Sequence, residues 1–249
     1  MVVGDFESYE YLFEMVEEKF TTAIRNKIKI DSSSLVKIKP FKKVDPFFIK
    51  EKVDFDVPML VLGYPVPASN SPESLSLDIV QTILTQGESS RLNKKLVRDK
   101  KLAVMAGGMN HILKRCGMSL FFSLYTPDAS VSKIEKIMVH EIENSISTGI
   151  TKDELVKVKN GALTKRTFER FSSENIANKL ASSQVIDGDY RNWIDKMHFF
   201  EELTPEKIIS DVNSFWISEN RFTLSLTPKK INPLLFGFGL FRRIFLKGR

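Results

Sequence analysis

Read as a pattern of apolar and polar positions, the chain divides into strands and amphipathic helices. Met1 to Gly4, "MVVG", reads as the end of a strand. From Phe6 on, Tyr9, Leu12, Phe13, Val16 and Phe20 recur at helical spacing and form one apolar stripe. Residues 21 to 50 are polar, basic and broken by proline ("IKPFKKVDPF"), the composition of a linker. "KVDFDVPMLVLGYPV" alternates at Val53, Phe55 and Val57 before a wholly apolar run, which predicts one strand entering a buried sheet. "SNSPESLSLDIVQTILTQG" predicts a helix with Ser71 as N-cap and Pro72 at its first position. Leu75, Ile79 and Ile83 share one side of it, and Gly87 stops it.

A short basic helix, "SSRLNKKLVRDKK", leads to a hairpin whose strands are "LAVMAG" and "GMSLFFSLYTP", joined through "MNHILKRC". From Val131 the chain is helical again, with Ile134, Ile137, Met138, Ile142 and Ile146 on one face. "TKDE" at Thr151 to Glu154 is a capping box that opens a long helix to about Arg170. "SSENIANKLASSQVIDG" predicts another helix, stopped at Gly188. A short helix over Tyr190 to Phe200, a helix capped by Thr204 and Pro205, and a closing strand in "NRFTLSLTP" follow. This order predicts an α+β fold, a mixed and mostly antiparallel sheet with helices packed on one face.

Composition narrows the function only a little. With 249 residues, 42% hydrophobic and 27% charged, the chain is ordinary globular material. Its net charge of +6 gathers in Lys37 to Lys43, Arg91 to Lys101 and the end of the chain. Such a balance can attract nucleic acid or anionic lipid. No nucleic-acid motif accompanies it, so we expect no nucleic-acid partner. Cys116 is the single cysteine, so neither an intrachain disulfide nor a thiolate metal cluster can form. It stands where a hairpin turn runs into a strand and reads as structural rather than nucleophilic. The start shows no secretory n-region and h-region, and the charge-free stretch Ile231 to Phe241 falls well short of the roughly 20 residues of a membrane-spanning helix. The compartment stays open.

Candidate metal chemistry rests on three histidines. "MHFFEELTPEK" places His198, Glu201 and Glu202 one residue away from H-x-x-E-H, the inverted zinc-peptidase signature, with Glu202 where the second His belongs. "HEIEN" at His140 imitates H-E-x-x-H, with Asn144 in place of the second His. His111 falls in the predicted hairpin loop. A catalytic zinc site needs three protein ligands and an open position. Glu202 with a further carboxylate could complete a set, but a surface His beside a solvated acidic pair is the simpler reading of His198, as an exposed helix face is of His140. "QGESSRL" lacks the Lys-Ser/Thr of a phosphate loop, "GFGLF" lies outside any βαβ unit, and G-x-S-x-G is absent. The residues show no self-sufficient active site, so we expect no catalytic residue and no metal ligand in this chain.

The succession of segments resembles the C-terminal, non-zinc domain of the pitrilysin/insulinase family of zinc metallopeptidases, which includes mitochondrial-processing-peptidase-like proteins. The resemblance is carried by "VPMLVLGYPVP", "LDIVQTILTQGESSRLNKKLVRDKKLAV", "GITKDELVKVKN" and "LTPEKIISDVNSFW". "MVVGDFESYEYLFEMVEEKF" resembles the last strand and helix of the family's preceding, metal-binding domain. The resemblance therefore implies residues 1–49 as the end of an upstream domain plus linker, 50–228 as the C-terminal domain, and 229–249 as a basic apolar tail. In this family two homologous halves clasp a chamber around an unfolded peptide, which adds as a strand beside the zinc helix. Zinc activates water and the Glu of H-x-x-E-H is the base. The resemblance thus implies a non-catalytic half that encloses and positions peptide substrate, with zinc held by a homologous domain or subunit. It also implies an Arg and a Tyr directed at substrate from "LVRDKKLAV". The Tyr position falls on Val104; the Arg position falls on Val97 or, shifted by one, on Arg98, the single substrate-binding candidate. Gly87 and Ser89 would be structural. Two alternatives stay open: a structural or assembly subunit of the same fold without peptidase activity, and a truncated product.

The tail "INPLLFGFGLFRRIFLKGR" lies outside the resemblance. Its phenylalanines and basic residues suit an anionic membrane surface, but its glycines and short length favour a loosely packed tail over membrane contact. Deleting residues 230–249 is expected to leave co-sedimentation with anionic liposomes unchanged; loss of binding would establish the membrane contact.

Overall fold

The computed structural model describes residues 2–25 and 46–229. Helix α1 (Tyr9–Arg25) is followed by strands β1 (Phe47–Val53) and β2 (Met59–Val66), and by helix α2 (Ser74–Thr85). A π-helix (Asn93–Asp99) leads into the hairpin of β3 (Ala103–Ile112) and β4 (Gly117–Tyr125). Helices α3 (Val131–Thr148), α4 (Lys152–Glu169), α5 (Ser173–Ile186), α6 (Arg191–Glu202) and α7 (Pro205–Val212) precede the last strand, β5 (Phe222–Pro228). The five strands form one sheet in the order β1-β5-β2-β4-β3, in which β1 runs parallel to β5 and every other pair is antiparallel. This is the expected α+β architecture. No helix of the described residues is long and apolar enough to cross a membrane.

The period of two along the strands sorts side chains onto two unlike faces. One carries Leu60, Leu62, Tyr64 and Val66 of β2 and Phe121 and Tyr125 of β4, all buried. Leu77, Val80 and Leu84 of α2, Ile134, Met138 and Ile142 of α3, and Ile208 and Val212 of α7 complete that core. Tyr64, Phe121 and Trp216 pack edge to face, with ring centroids 5.9 and 5.3 Å apart, the geometry aromatic quadrupoles favour. The Tyr64 hydroxyl donates to Glu143 Oε1 at 3.4 Å, and Arg221 Nη1 donates to the same oxygen at 2.7 Å. Burial, and then the Glu143 carboxylate, push the phenol above its usual range.

Several sequence expectations shift. Val2 to Gly4 form no strand, since no described strand lies alongside to take up their hydrogen bonds. The strand predicted from Lys52 to Val66 is two: Asp54 to Pro58 breaks it, and β1 goes to the far edge beside β5. Helix α2 starts at Ser74, because Ser71 caps a preceding turn instead, its hydroxyl accepting from the Glu73 amide at 3.3 Å. The basic helix is wound as a π-helix, with the Lys100 amide reaching Lys95 O at 3.0 Å. The hairpin strands run further than predicted, so His111 stands in β3 opposite Met118 rather than in the loop. Gly87 and Gly188 do follow α2 and α5 at positive φ. Of the linker expected over residues 21–50, Thr21 to Arg25 continue α1 and Phe47 to Lys50 pair with β5 in β1, while residues 26–45 and the tail from 230 lie outside the described residues.

The capping box at α4 is present in full and is tied to the rest of the molecule. Arg91 Nε and Nη2 donate to the two oxygens of Glu154, both at 2.7 Å, and Nη2 also reaches Gly149 O at 2.9 Å. Burial pushes the Glu154 carboxyl up, but the Arg91 guanidinium and the Thr151 amide outweigh it and hold it below the usual carboxylate range. Its stabilisation is therefore present above the unfolded carboxylate pKa and is lost as pH falls through the lower, folded value. Glu154→Gln is expected to cost about 2 kcal/mol at neutral pH. In denaturant unfolding that difference should shrink as pH drops below about 4.

Candidate functional site

The histidines weighed as metal ligands stand apart on separate elements. The His198 side chain is 75% exposed on α6, with Nε2 3.5 Å from Glu202 Oε1 as an i, i+4 surface pair. His140 is exposed on α3 beside Glu141, its Nδ1 at 3.6 Å. His111 is exposed on β3. Among the described residues no group of three or more His, Cys, Asp or Glu side chains could hold a metal ion. The described donor set does not fit zinc. Cys116 is an exposed free thiol in the hairpin turn.

Arg98 is exposed in the last turn of the π-helix. Its alternative, Val97, packs against the core instead. Val104 stands at a bulge: Ala103 pairs with Tyr125 and Met105 with Leu124, leaving Val104 as the extra residue. A bulge on an edge strand re-aims side chains and disturbs further pairing.

The second face of the sheet is a larger feature, and one that only the register reveals. Pairings Phe47 with Phe222, Ile49 with Leu224, Val61 with Leu224, Val61 with Phe122 and Met109 with Leu120 place apolar side chains on one face across all five strands. At the edges these are open to solvent, Met105 at 45% and Met109 at 55%. Phe47 stacks on Phe222 at 5.4 Å. The Phe222 ring crosses Gly63, where an added Cβ would lie 1.9 Å from it. Among the described residues no helix covers this face, whose middle positions Val61, Phe122 and Leu224 are half-buried; a contiguous apolar face of this kind marks a surface built to meet something else.

Behind the sheet, α2, α4 and α6 bound a cleft of about 840 Å³. Its floor carries Gln81, only 4% exposed, whose Nε2 donates to Leu120 O at 3.1 Å. Gly108 makes room for this, since a Cβ there would be 2.3 Å from that nitrogen and 2.5 Å from Leu120 O. The other amide atom, Gln81 Oε1, finds no donor among the described residues. Beside it Asn110 Nδ2 donates to Asp78 Oδ1 at 2.9 Å and Ser119 Oγ donates to Asn110 Oδ1 at 2.6 Å. On the outer wall Arg166 lies 4.7 Å over the Trp193 ring and donates to Trp193 O at 2.7 Å. Sequence reasoning missed Gln81 and Asn110. The one signal for Gln81 was a polar residue amid the buried side of "DIVQTIL"; Asn110 was hidden by its assignment to a loop.

Residues 1–162 match the family description "Peptidase M16 inactive domain". The zinc protease PqqE of Helicobacter pylori is 25% identical over 215 residues, which make up 86% of this chain and 48% of that protein. The chain thus spans about half the length of the curated relative it matches. A crystal structure of a protease from Helicobacter pylori superposes with a TM-score of 0.79 at 24% identity, covering 91% of this chain and 54% of the other. The crystal structure of a peptidase M16 inactive domain from Pseudomonas fluorescens gives 0.69 at 16% identity, covering 80% and 47%. At these identities the two structures establish a shared fold.

Proposed function

The chain belongs to the peptidase M16 family through its inactive domain, and from that premise we propose that it is the non-catalytic half of a pitrilysin-like zinc metallopeptidase. It encloses and positions a peptide substrate while a homologous domain or partner chain holds the zinc. The observation that carries this is the bare apolar face of the sheet, which runs from Phe47 at one edge to Met109 at the other. An unfolded peptide exposes the apolar side chains and backbone groups that such a face and its edge strand can take up. The described residues offer no zinc set, so hydrolysis is assigned to the other half.

Two further assignments follow. Arg98, exposed in the last turn of the π-helix ahead of β3, is assigned here as the substrate-facing side chain of this half, a guanidinium suited to a peptide carbonyl or carboxylate. The stretch ahead of β1, expected over residues 1–49 but ending where that strand begins at Phe47, is the end of the zinc-binding domain plus a linker. The stripe on α1, where Tyr9, Phe13 and Phe20 stand exposed, packs against that domain.

The test is reconstitution. The purified 249-residue chain alone should bind no stoichiometric zinc and cleave no peptide. Mixed or co-expressed with a chain carrying H-x-x-E-H, it should restore chelator-sensitive cleavage of an unfolded peptide. In that complex Arg98→Ala should lower kcat/KM roughly tenfold without changing zinc content. Cleavage by the chain alone that is abolished by a chelator and by His198→Ala would overturn the proposal. Full zinc loading of the complex without peptidase activity would favour a purely structural subunit.

A further inference from the structure

We propose that the cleft between α2 and α4 is a second binding site on this half, taking an extended segment of acidic peptide. The proposal deepens the reading above and rests on it for the peptide nature of the ligand. Three observations on the cleft's own residues carry it.

The first is Gln81. Its amide is held in one orientation by the bond from Nε2 to Leu120 O, so Oε1 is left as a buried acceptor with no donor among the described residues. A buried carbonyl without a donor costs roughly 1–3 kcal/mol, and because Gln81 lines the cleft floor, a backbone N–H that displaces the side chains over that oxygen would satisfy it. The second is Gly161, in the middle of α4 on the opposite wall. Glycine inside a helix is less favourable than alanine by about 1 kcal/mol. Neither positive φ nor crowding within the chain accounts for it, because an added Cβ would meet nothing within 4 Å. What a missing side chain on a cleft wall does allow is close approach of another backbone.

The third is the balance of charge at the mouth. Glu154 is paired with Arg91, and Glu169 lies 3.2 Å from Lys179. Asp78 accepts from the neutral Asn110 amide and keeps its charge, but Arg166, bonded to Trp193 O and Ile194 O, and Lys157, bonded to the Ser89 hydroxyl, keep theirs as well. Lys165 is exposed on the same wall with no ion pair or hydrogen bond among the described residues. The charge left to meet a ligand is therefore positive, which selects a carboxylate-bearing segment over a basic one. It also disfavours the chain's own basic tail as the occupant.

The cleft carries its own reporter. Of the two tryptophans, Trp216 is fully buried in the core and Trp193 lines the cleft. Titrating the full chain with a short, end-blocked peptide rich in Asp and Glu should change tryptophan emission saturably, and a Lys-rich counterpart should bind at least roughly tenfold more weakly. Gly161→Leu should abolish the change while leaving Tm equal or higher, since leucine favours the helix. Lys165→Glu should weaken acidic-peptide binding roughly tenfold. No saturable change, or unaltered binding by a folded Gly161→Leu chain, would overturn the proposal. Its failure is distinct from that of the half-peptidase reading: reconstituted cleavage with no acidic-peptide binding refutes the cleft alone. Acidic-peptide binding lost in Gly161→Leu, with no reconstituted cleavage, sustains the cleft and refutes the peptidase half.

Discussion

The fold hangs on where its last strand goes. β5 is inserted between β1 and β2, so the first two strands of the sheet acquire their shared neighbour only after six α-helices, a π-helix and the β3–β4 hairpin have come between. Thr227 Oγ1 reaches Glu51 O at 3.3 Å across 176 positions of sequence. Trp216, fully buried against Phe121, stands just before that strand, so closing the sheet and filling the core are one event. Contacts of such separation carry a large loop-closure entropy before any pairing rewards them. The helices do not form an independent bundle; α7 reaches the rest through a buried hydrogen bond from Ser76 Oγ to Asp211 Oδ2 at 2.6 Å, and its seat exists only once α2 is on the sheet.

That arrangement separates two kinds of surface. The helix-covered face holds stability, with Leu60, Leu62 and Phe121 wholly withdrawn from water. Among the described residues the other face and the α2–α4 cleft are not consumed by the fold, and they hold the features that local packing there leaves unexplained: an apolar layer with no described cover, an amide oxygen with no described donor, and a helix glycine with no described crowding neighbour.

Elements whose signals are local were legible in the sequence. The capping box at Thr151 to Glu154, the Thr204 cap, the α3 stripe of Ile134, Met138 and Ile142, and the positive-φ glycines after α2 and α5 each rest on residues within one or two turns of one another. β1 was hidden because "FFIKEKV" is an edge strand with little burial, and its only partner lies at the other end of the chain. The break at Asp54 to Pro58 was masked by the alternation of Val53, Phe55 and Val57. The cleft was invisible because α2, α4 and α6 each look ordinary alone. Arg98 was reached through resemblance, and it stands exposed in the last turn of the π-helix.

The bare sheet face also sets terms for the chain's life in the cell. An apolar layer bounded by an edge strand bearing Phe47, Phe48 and Ile49 is the kind of surface that chaperones hold and that concentrated protein aggregates through. Lys50 and Lys52 on that strand are the sort of charges that discourage edge-to-edge addition, but they do not shield the layer itself. Any surface that covers the layer and meets only the folded form would remove this liability and stabilise the fold in the same step.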